Sequence, residues 1–360
     1  MRYRRPSKPL GRLLARVLEG SWRADTGRLE LTRDELGQAL EPLLASGAAG
    51  LAWRRLQKTD LSQSEPASEL QQAYRHQWVQ AMLHREEINY VFGALSAAKL
   101  DALLVKGWAV ARLYPELGLR PYGDLDICFR ADQYERGCEV IASLDQTRIN
   151  LDLHRGISKL DSRSMHRLLA AAETVKHDRV SLTVLSAEDH LRVLCTHALR
   201  HGLWRPLWLC DIAAAVEARP RDFDWKRCLG DDSRVADWIT CALGLSAVLL
   251  GANISDTPAR GREASMPRWL VSRVLKNWSR PDPELYPPQA YGRPMATYIR
   301  DPRGLLHTLR VRWTDPIEAS VRMGAPFNRL PRFPFQAGYV AKRAAMFLAG
   351  LSRNGREAAR

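Results

Sequence analysis

Between Ala67 and about Lys99 the residues Leu70, Tyr74, Trp78, Met82, Ile88, Phe92 and Leu95 recur at helical spacing, which predicts one long helix. Residues up to about Lys58 also carry a helical rhythm. There Thr32-x-x-Glu35 has the form of a capping box ahead of the Leu36, Leu40, Leu43, Leu44 stripe. The polar patch from Thr59 to Ser68, with Pro66 inside it, predicts a break between the two. The long helix is expected to brace the fold rather than to carry chemistry.

After Lys99 short apolar runs alternate with helical segments, the rhythm of an α/β or α+β unit. Ala102 to Val105 reads as a strand, Trp108 to Leu113 as a helix, and Leu125 to Phe129 as a second strand. Ala131 to Ser143 follows as a helix, Ile149 to Leu153 as a third strand and Val180 to Leu185 as a fourth, all in one small sheet. Beyond Ser186 the pattern is helical, over Ala187 to Arg200, Leu207 to Glu217 and Val235 to Leu250, before a less regular Pro-rich tail from about Pro281. The expected class is α+β: an N-terminal helical segment over 1–66, a small mixed-sheet core over 67–186, and a helical domain with a basic tail over 187–360. No internal repeat interrupts this plan.

Composition adds a direction. The 360 residues are 46% hydrophobic and 26% charged, an ordinary globular balance. The formal net charge of +14 and pI of about 9.8 call for a polyanionic ligand: a nucleoside triphosphate, nucleic acid or an anionic membrane surface. Much of the excess lies at the ends, in Arg2, Arg4, Arg5, Lys8, Arg12 and Arg16, and again between Glu318 and Glu357. Such stripes are either solvated helical surface or an electrostatic track for nucleic acid or lipid. Six cysteines without a C-x-x-C pair, several inside apolar runs, argue for a reducing compartment and against zinc. Arg12 and Arg16 break the apolar run from Leu10 to Leu18, so no signal peptide is read there. The longest uncharged stretch, Trp238 to Ser255, holds polar residues and two glycines and reads as a buried helix rather than a membrane span. The cytoplasm is the expected location.

The chemistry concentrates in Val105-Lys106-Gly107 and in Arg120-Pro121-Tyr122-Gly123-Asp124-Leu125-Asp126-Ile127. Side chains alternate along a strand, so Asp124 and Asp126 share one face while Leu125, Ile127 and Phe129 pack behind. Paired carboxylates repel and raise each other's pKa unless a cation sits between them. A hard ion such as Mg²⁺, or Mn²⁺ in its place, removes that cost and bridges substrate phosphates. On the third strand Arg148, Asn150, Asp152 and His154 share a face, which brings Asp152 toward the same pocket as a third carboxylate and metal ligand. His154 is expected to touch the nucleotide or to orient Asp152. Gly107 at a strand-to-helix turn lets backbone amides approach a phosphate, Lys106 reaches the β- or γ-phosphate, and Arg120 does likewise or neutralises the acids. Alone, a D-x-D pair is a common decoration of strand ends; its neighbours give it weight.

Leu104-Val105-Lys106-Gly107, the following Leu113-Tyr114-Pro115, Arg120-Pro121-Tyr122-Gly123-Asp124-Leu125-Asp126 and Asp152-Leu153-His154 together resemble an uncharacterised bacterial nucleotidyltransferase family of the DNA polymerase beta superfamily. His197, His201 and Trp208-Leu209-Cys210-Asp211 are similar to the start of that family's helical half. The likeness is clear over about Leu70 to Trp225. It implies a small mixed sheet backed by helices, and transfer of a nucleoside monophosphate from a triphosphate to an acceptor of unspecified kind. The superfamily's usual Gly-Ser turn is replaced here by Lys106-Gly107, similar to the subfamily's own variant.

His197 and His201, four apart on one helix face with His190 a heptad before His197, do not form H-E-x-x-H, since Ala198 follows His197. They either look into the cleft toward nucleotide or acceptor, or hydrogen-bond Asp211. Trp204 and Trp208 flank Pro206 and are candidates for base stacking or for the core. Three functions follow: an NTP-dependent nucleotidyltransferase using Asp124, Asp126 and Asp152, with a small molecule, sugar, protein or RNA as acceptor; a nucleotide- or nucleic-acid-binding regulator that keeps the fold without turnover; and an RNA-modifying enzyme that uses the basic ends.

Overall fold

The computed structural model describes residues 8–144, 150–157, 163–279 and 313–357. The first part of the Pro-rich tail, over 281–312, the basic Arg2, Arg4 and Arg5, and the positions Arg148 and Ile149 lie outside them.

Three helices come first: α1 (Lys8–Leu18), α2 (Arg33–Ala45) and α3 (Ala49–Leu56). The capping box ahead of α2 is complete, with the Glu35 amide donating to Thr32 Oγ1 at 3.2 Å and the Thr32 amide donating back to Glu35 Oε2 at 3.0 Å. A 3₁₀ turn over Asp60–Gln63 then leads into α4 (Glu65–Ala97). Pro66 opens this helix rather than breaking the chain, because a first-turn proline has no amide to waste.

The sheet follows: β1 (Ala102–Leu104), α5 (Trp108–Ala111), β2 (Asp124–Phe129), α6 (Tyr134–Ala142), β3 (Asn150–Arg155), α7 (Met165–Leu169), β4 (Glu173–His177) and β5 (Val180–Val184). Its five strands run in the order β3-β2-β1-β5-β4 and are mixed: β2 pairs parallel with β3 and antiparallel with β1, and β1 pairs parallel with β5. The class is α+β, as the pattern predicts. Strand β4 was not foreseen. Its Glu173-Thr-Val-Lys-His has little apolar alternation because it is a largely exposed edge, held by a two-residue turn at Asp178-Arg179 to β5 and by the Arg85–Asp178 ion pair to α4.

The helical part comprises α8 (Ala187–Arg200), α9 (Pro206–Glu217), α10 (Trp225–Leu229), α11 (Ser233–Leu250), α12 (Arg262–Ser265), α13 (Arg268–Trp278), α14 (Pro316–Arg322) and α15 (Phe333–Glu357). Helix α11 is long and apolar enough to cross a membrane, yet 56% of it is buried inside the fold, with Ile239, Cys241, Leu243 and Leu245 in the core.

The two sheet faces pack differently. Leu104, Leu125, Ile127 and Phe129 lie against Ile88, Val91, Phe92 and Leu95 of α4. The other face sets Leu103, Val105 and Cys128 against Leu168 of α7 and Val193 of α8. A third core joins both helical parts: Leu14, Leu18, Leu36 and Leu43 pack with Leu199, Leu207, Leu270 and Trp278. Each such buried side chain contributes roughly 1.5–3 kcal/mol. The N-terminal helices thereby close on the helices that follow Ser186.

Candidate active site

Period-two alternation puts Asp124 and Asp126 on the same sheet face as Cys128, the face covered by α8. The parallel register sets Asp126 directly beside Asp152, Cys128 beside His154 and Asp124 beside Asn150. One ligand atom from each of Asp126, Asp152 and His154 lies within 4.8 Å of the others. Asp126 is 3% exposed in its side chain, and Asp152 is 53% exposed. Asp126 Oδ1 accepts from Lys106 Nζ at 2.8 Å and sits 3.2 Å from His154 Nε2, which is also 3.3 Å from Asp152 Oδ2.

These contacts split the two acids of β2. Burial, followed by the Asp126 charge, holds the Asp124 carboxyl above its ordinary range. Burial pushes Asp126 the same way, but the His154 bond and the Lys106 ammonium outweigh it and hold Asp126 low. The cluster thus draws cations onto Asp126 and leaves Asp124 short of one. His154 Nδ1 is buried with no hydrogen-bond partner among the described residues. Two carboxylate oxygens and a ring nitrogen, from Asp126, Asp152 and His154, lie close enough together to fit a divalent ion, with Asp124 two residues earlier on the same face.

Gly107 occupies φ +59, and a Cβ there would stand 2.8 Å from the Asp124 carbonyl oxygen, so only glycine lets the turn lie against β2. The following α5 is a single turn, which leaves little helix dipole at this point. Arg120, 9% exposed, donates to Asp211 through Nη2 at 2.8 Å and Nε at 3.2 Å, and the Tyr114 hydroxyl donates to Asp211 Oδ1 at 2.8 Å. Asp211 is therefore engaged by Arg120 and Tyr114 rather than by the histidines.

A cleft of about 590 Å³ opens over the acids, of a size that takes small ligands. Its floor is Lys106, Gly107, Asp124 and Asp126, its rim Arg120 to Gly123, and α8 and α9 add His197 and Trp208. His197 reaches it because it lies one helical turn beyond Val193, which packs on the acid-bearing sheet face. His201 stands behind, 4.5 Å from the His197 ring and 5.6 Å from Trp208. Burial, then Lys106, pushes His197 far down, and burial with Arg322 pushes His201 down to about 4.

Three contributions escaped the sequence reading. Helix α4 is more than a brace: His76, Gln77, Gln80 and His84 form a wall of the cleft, with the His84 ring 5.0 Å from Tyr122. The polar 76-80-84 stripe at i, i+4 spacing was the available signal. Tyr122 was visible only as part of the Arg120–Asp126 motif, with no role of its own, and Arg205 gave no signal. At the basic ends, Arg16 pairs with Glu35, and Arg332 turns inward to the carbonyls of Leu330 and Pro326.

Clustered carboxylates thus meet cationic side chains at the floor of a cleft. The chain belongs to a family described as uncharacterised nucleotidyltransferase, whose model matches residues 38–249, more than half its length. No curated protein and no solved structure matches it.

Proposed function

We propose that the protein is a metal-dependent nucleotidyltransferase that moves a nucleoside monophosphate from an NTP to a hydroxyl-bearing acceptor. The observation that carries this is the pair Asp124 and Asp126 at the floor of the cleft, with Asp152 set beside Asp126 by the strand register. Asp124, Asp126 and Asp152 would hold Mg²⁺ or Mn²⁺, whose bound form supplies Lewis acidity at the transferring phosphate. Lys106, paired with Asp126 when no other cation is there, would turn to the phosphate chain, and the Gly107 amide would meet it at the turn. Asp152, half exposed, would accept the acceptor's hydroxyl proton. The acceptor oxygen then bonds to the α-phosphorus as the bond to pyrophosphate breaks. His154 orients Asp152 and Asp126 through Nε2. The six free cysteines support a reducing, cytoplasmic setting. The resemblance to the polymerase beta superfamily supports the same chemistry.

The test is metal-dependent pyrophosphate release from labelled NTPs across acceptor classes, for wild type and Asp126→Asn. Wild type should release pyrophosphate only with Mg²⁺ or Mn²⁺, and D126N should lose at least about a hundredfold, the scale of a displaced electrostatic group. Undiminished release by D126N would refute the assignment. NTP binding without release by wild type, with every acceptor class, would favour a binding regulator instead.

A further inference from the structure

The three permanently cationic side chains lining the cleft differ in what balances them. Lys106 pairs with Asp126 and Arg120 with Asp211, each at 2.8 Å. Arg205 has no carboxylate partner among the described residues; its Nε donates to the Ser46 carbonyl at 2.6 Å. Its Nη2 fills the space where Gly47 lacks a side chain, since a Cβ there would stand 2.5 Å from Nη2 and 3.3 Å from Pro121 Cγ. Gly47 also holds φ +75, so this turn needs glycine for both reasons. Gln77 from α4 reaches the same corner: Nε2 donates to the Gly47 carbonyl at 3.4 Å, and Oε1 is buried with no hydrogen-bond partner among the described residues. Burial, followed by the charge of Arg120, pushes the Arg205 guanidinium down to about 10. The fold therefore clamps a cation at the cleft wall at a desolvation cost that the more distant charges of Asp211 and Asp124 offset only in part, and a bound anion would complete the balance.

We propose that Arg205, with Gln77 beside it, seats an oxyanion, a phosphate or carboxylate, carried by the substrate that fills the cleft. The guanidinium fork suits two oxygens of such a group, while Gln77 holds the Gly47 turn beside it, its Oε1 buried against Gly50. The identity of that substrate rests on the nucleotidyl-transfer reading; the anion seat does not. Two sources share the chemistry: the terminal phosphate of the donor, and an anionic group on the acceptor.

The experiment is calorimetric titration of the full chain and of Arg205→Gln with orthophosphate, and then with a non-hydrolysable NTP analogue and Mg²⁺. R205Q should weaken orthophosphate binding by at least about tenfold, the scale of a lost charge-assisted bond. If the donor's terminal phosphate sits there, R205Q also weakens the analogue, and orthophosphate no longer binds the analogue-saturated protein. If an acceptor group sits there, analogue affinity is unchanged and orthophosphate still binds beside it. Either pattern supports the seat. Absence of orthophosphate binding by wild type, or equal affinities for both ligands in wild type and folded R205Q, overturns it. Should R205Q melt several degrees lower, Arg205→Lys takes its place: it keeps the charge without the fork and should weaken orthophosphate about threefold, where no change would overturn the proposal. These titrations need no turnover, so they stand or fall separately from pyrophosphate release.

Discussion

Asp211→Ala should destabilise the protein more than almost any substitution in the cleft floor. The carboxylate is 1% exposed and accepts from Arg120 Nη2 at 2.8 Å, from Nε at 3.2 Å and from the Tyr114 hydroxyl at 2.8 Å. Truncation leaves a guanidinium that is 9% exposed with only the Pro121 carbonyl, 3.2 Å from Nη1. Deleting one partner of a buried ion pair costs about 3–5 kcal/mol. An orphaned Tyr114 hydroxyl adds about 1–3 kcal/mol. The retained Pro121 bond, and water entering the vacated space, offset part of this, so the net loss should be near 4 kcal/mol, a fall in Tm of roughly 5 °C for a chain of 360 residues. Tyr114→Phe removes one bond to a carboxylate that keeps its arginine, and should cost about 1–2 kcal/mol. Urea and thermal denaturation followed by circular dichroism measure both. The pair also has a functional consequence, since Arg120 lies four residues before Asp124 and anchors that loop to α9. Loss of less than about 1 kcal/mol in D211A, or equal losses in D211A and Y114F, would refute the view that a buried ion pair fixes this loop.

Gly107→Ala should cost about 1–3 kcal/mol, since a side chain at φ +59 is strained and its Cβ meets the Asp124 carbonyl; pyrophosphate release should fall further than stability, and unchanged release would detach this turn from the site. Stability should also fall below neutral pH. Burial holds the native pKa of His190 at about 3 and of His201 at about 4, so both stay neutral when folded while the unfolded chain takes up protons below its ordinary value of 6.5. Their contribution is whole above pH 6.5 and is lost as pH falls toward 4 and then 3, by about 1.4 kcal/mol per pH unit for each histidine. Melting curves at stepped pH should show that slope, and His190→Gln should flatten it; a profile independent of pH between 6.5 and 4 would contradict the burial of these rings.

The alternation in Asp124-Leu-Asp-Ile-Cys-Phe, the four-residue spacing of His197 and His201, the Thr32 capping box and the helix over Ala187–Arg200 are local patterns. A strand or helix period is written in neighbouring residues, so sequence alone placed these side chains on their faces. It also gave the paired acids, the Lys106-Gly107 turn and the family likeness. Pairing between distant segments is not local. That Asp152 stands beside Asp126 depends on a parallel register between β2 and β3, and that Asp211 takes Arg120 rather than a histidine depends on how α9 meets the loop before β2. The edge strand β4 escaped notice because an exposed edge needs no apolar alternation. Arg205 was silent for the opposite reason: nothing in its neighbours shows that Ser46, Gly47 and Gln77 will close around it. The sequence determined which groups could do chemistry and on which face each lies; the tertiary structure decided which charges are balanced, because that depends on partners brought together only by packing.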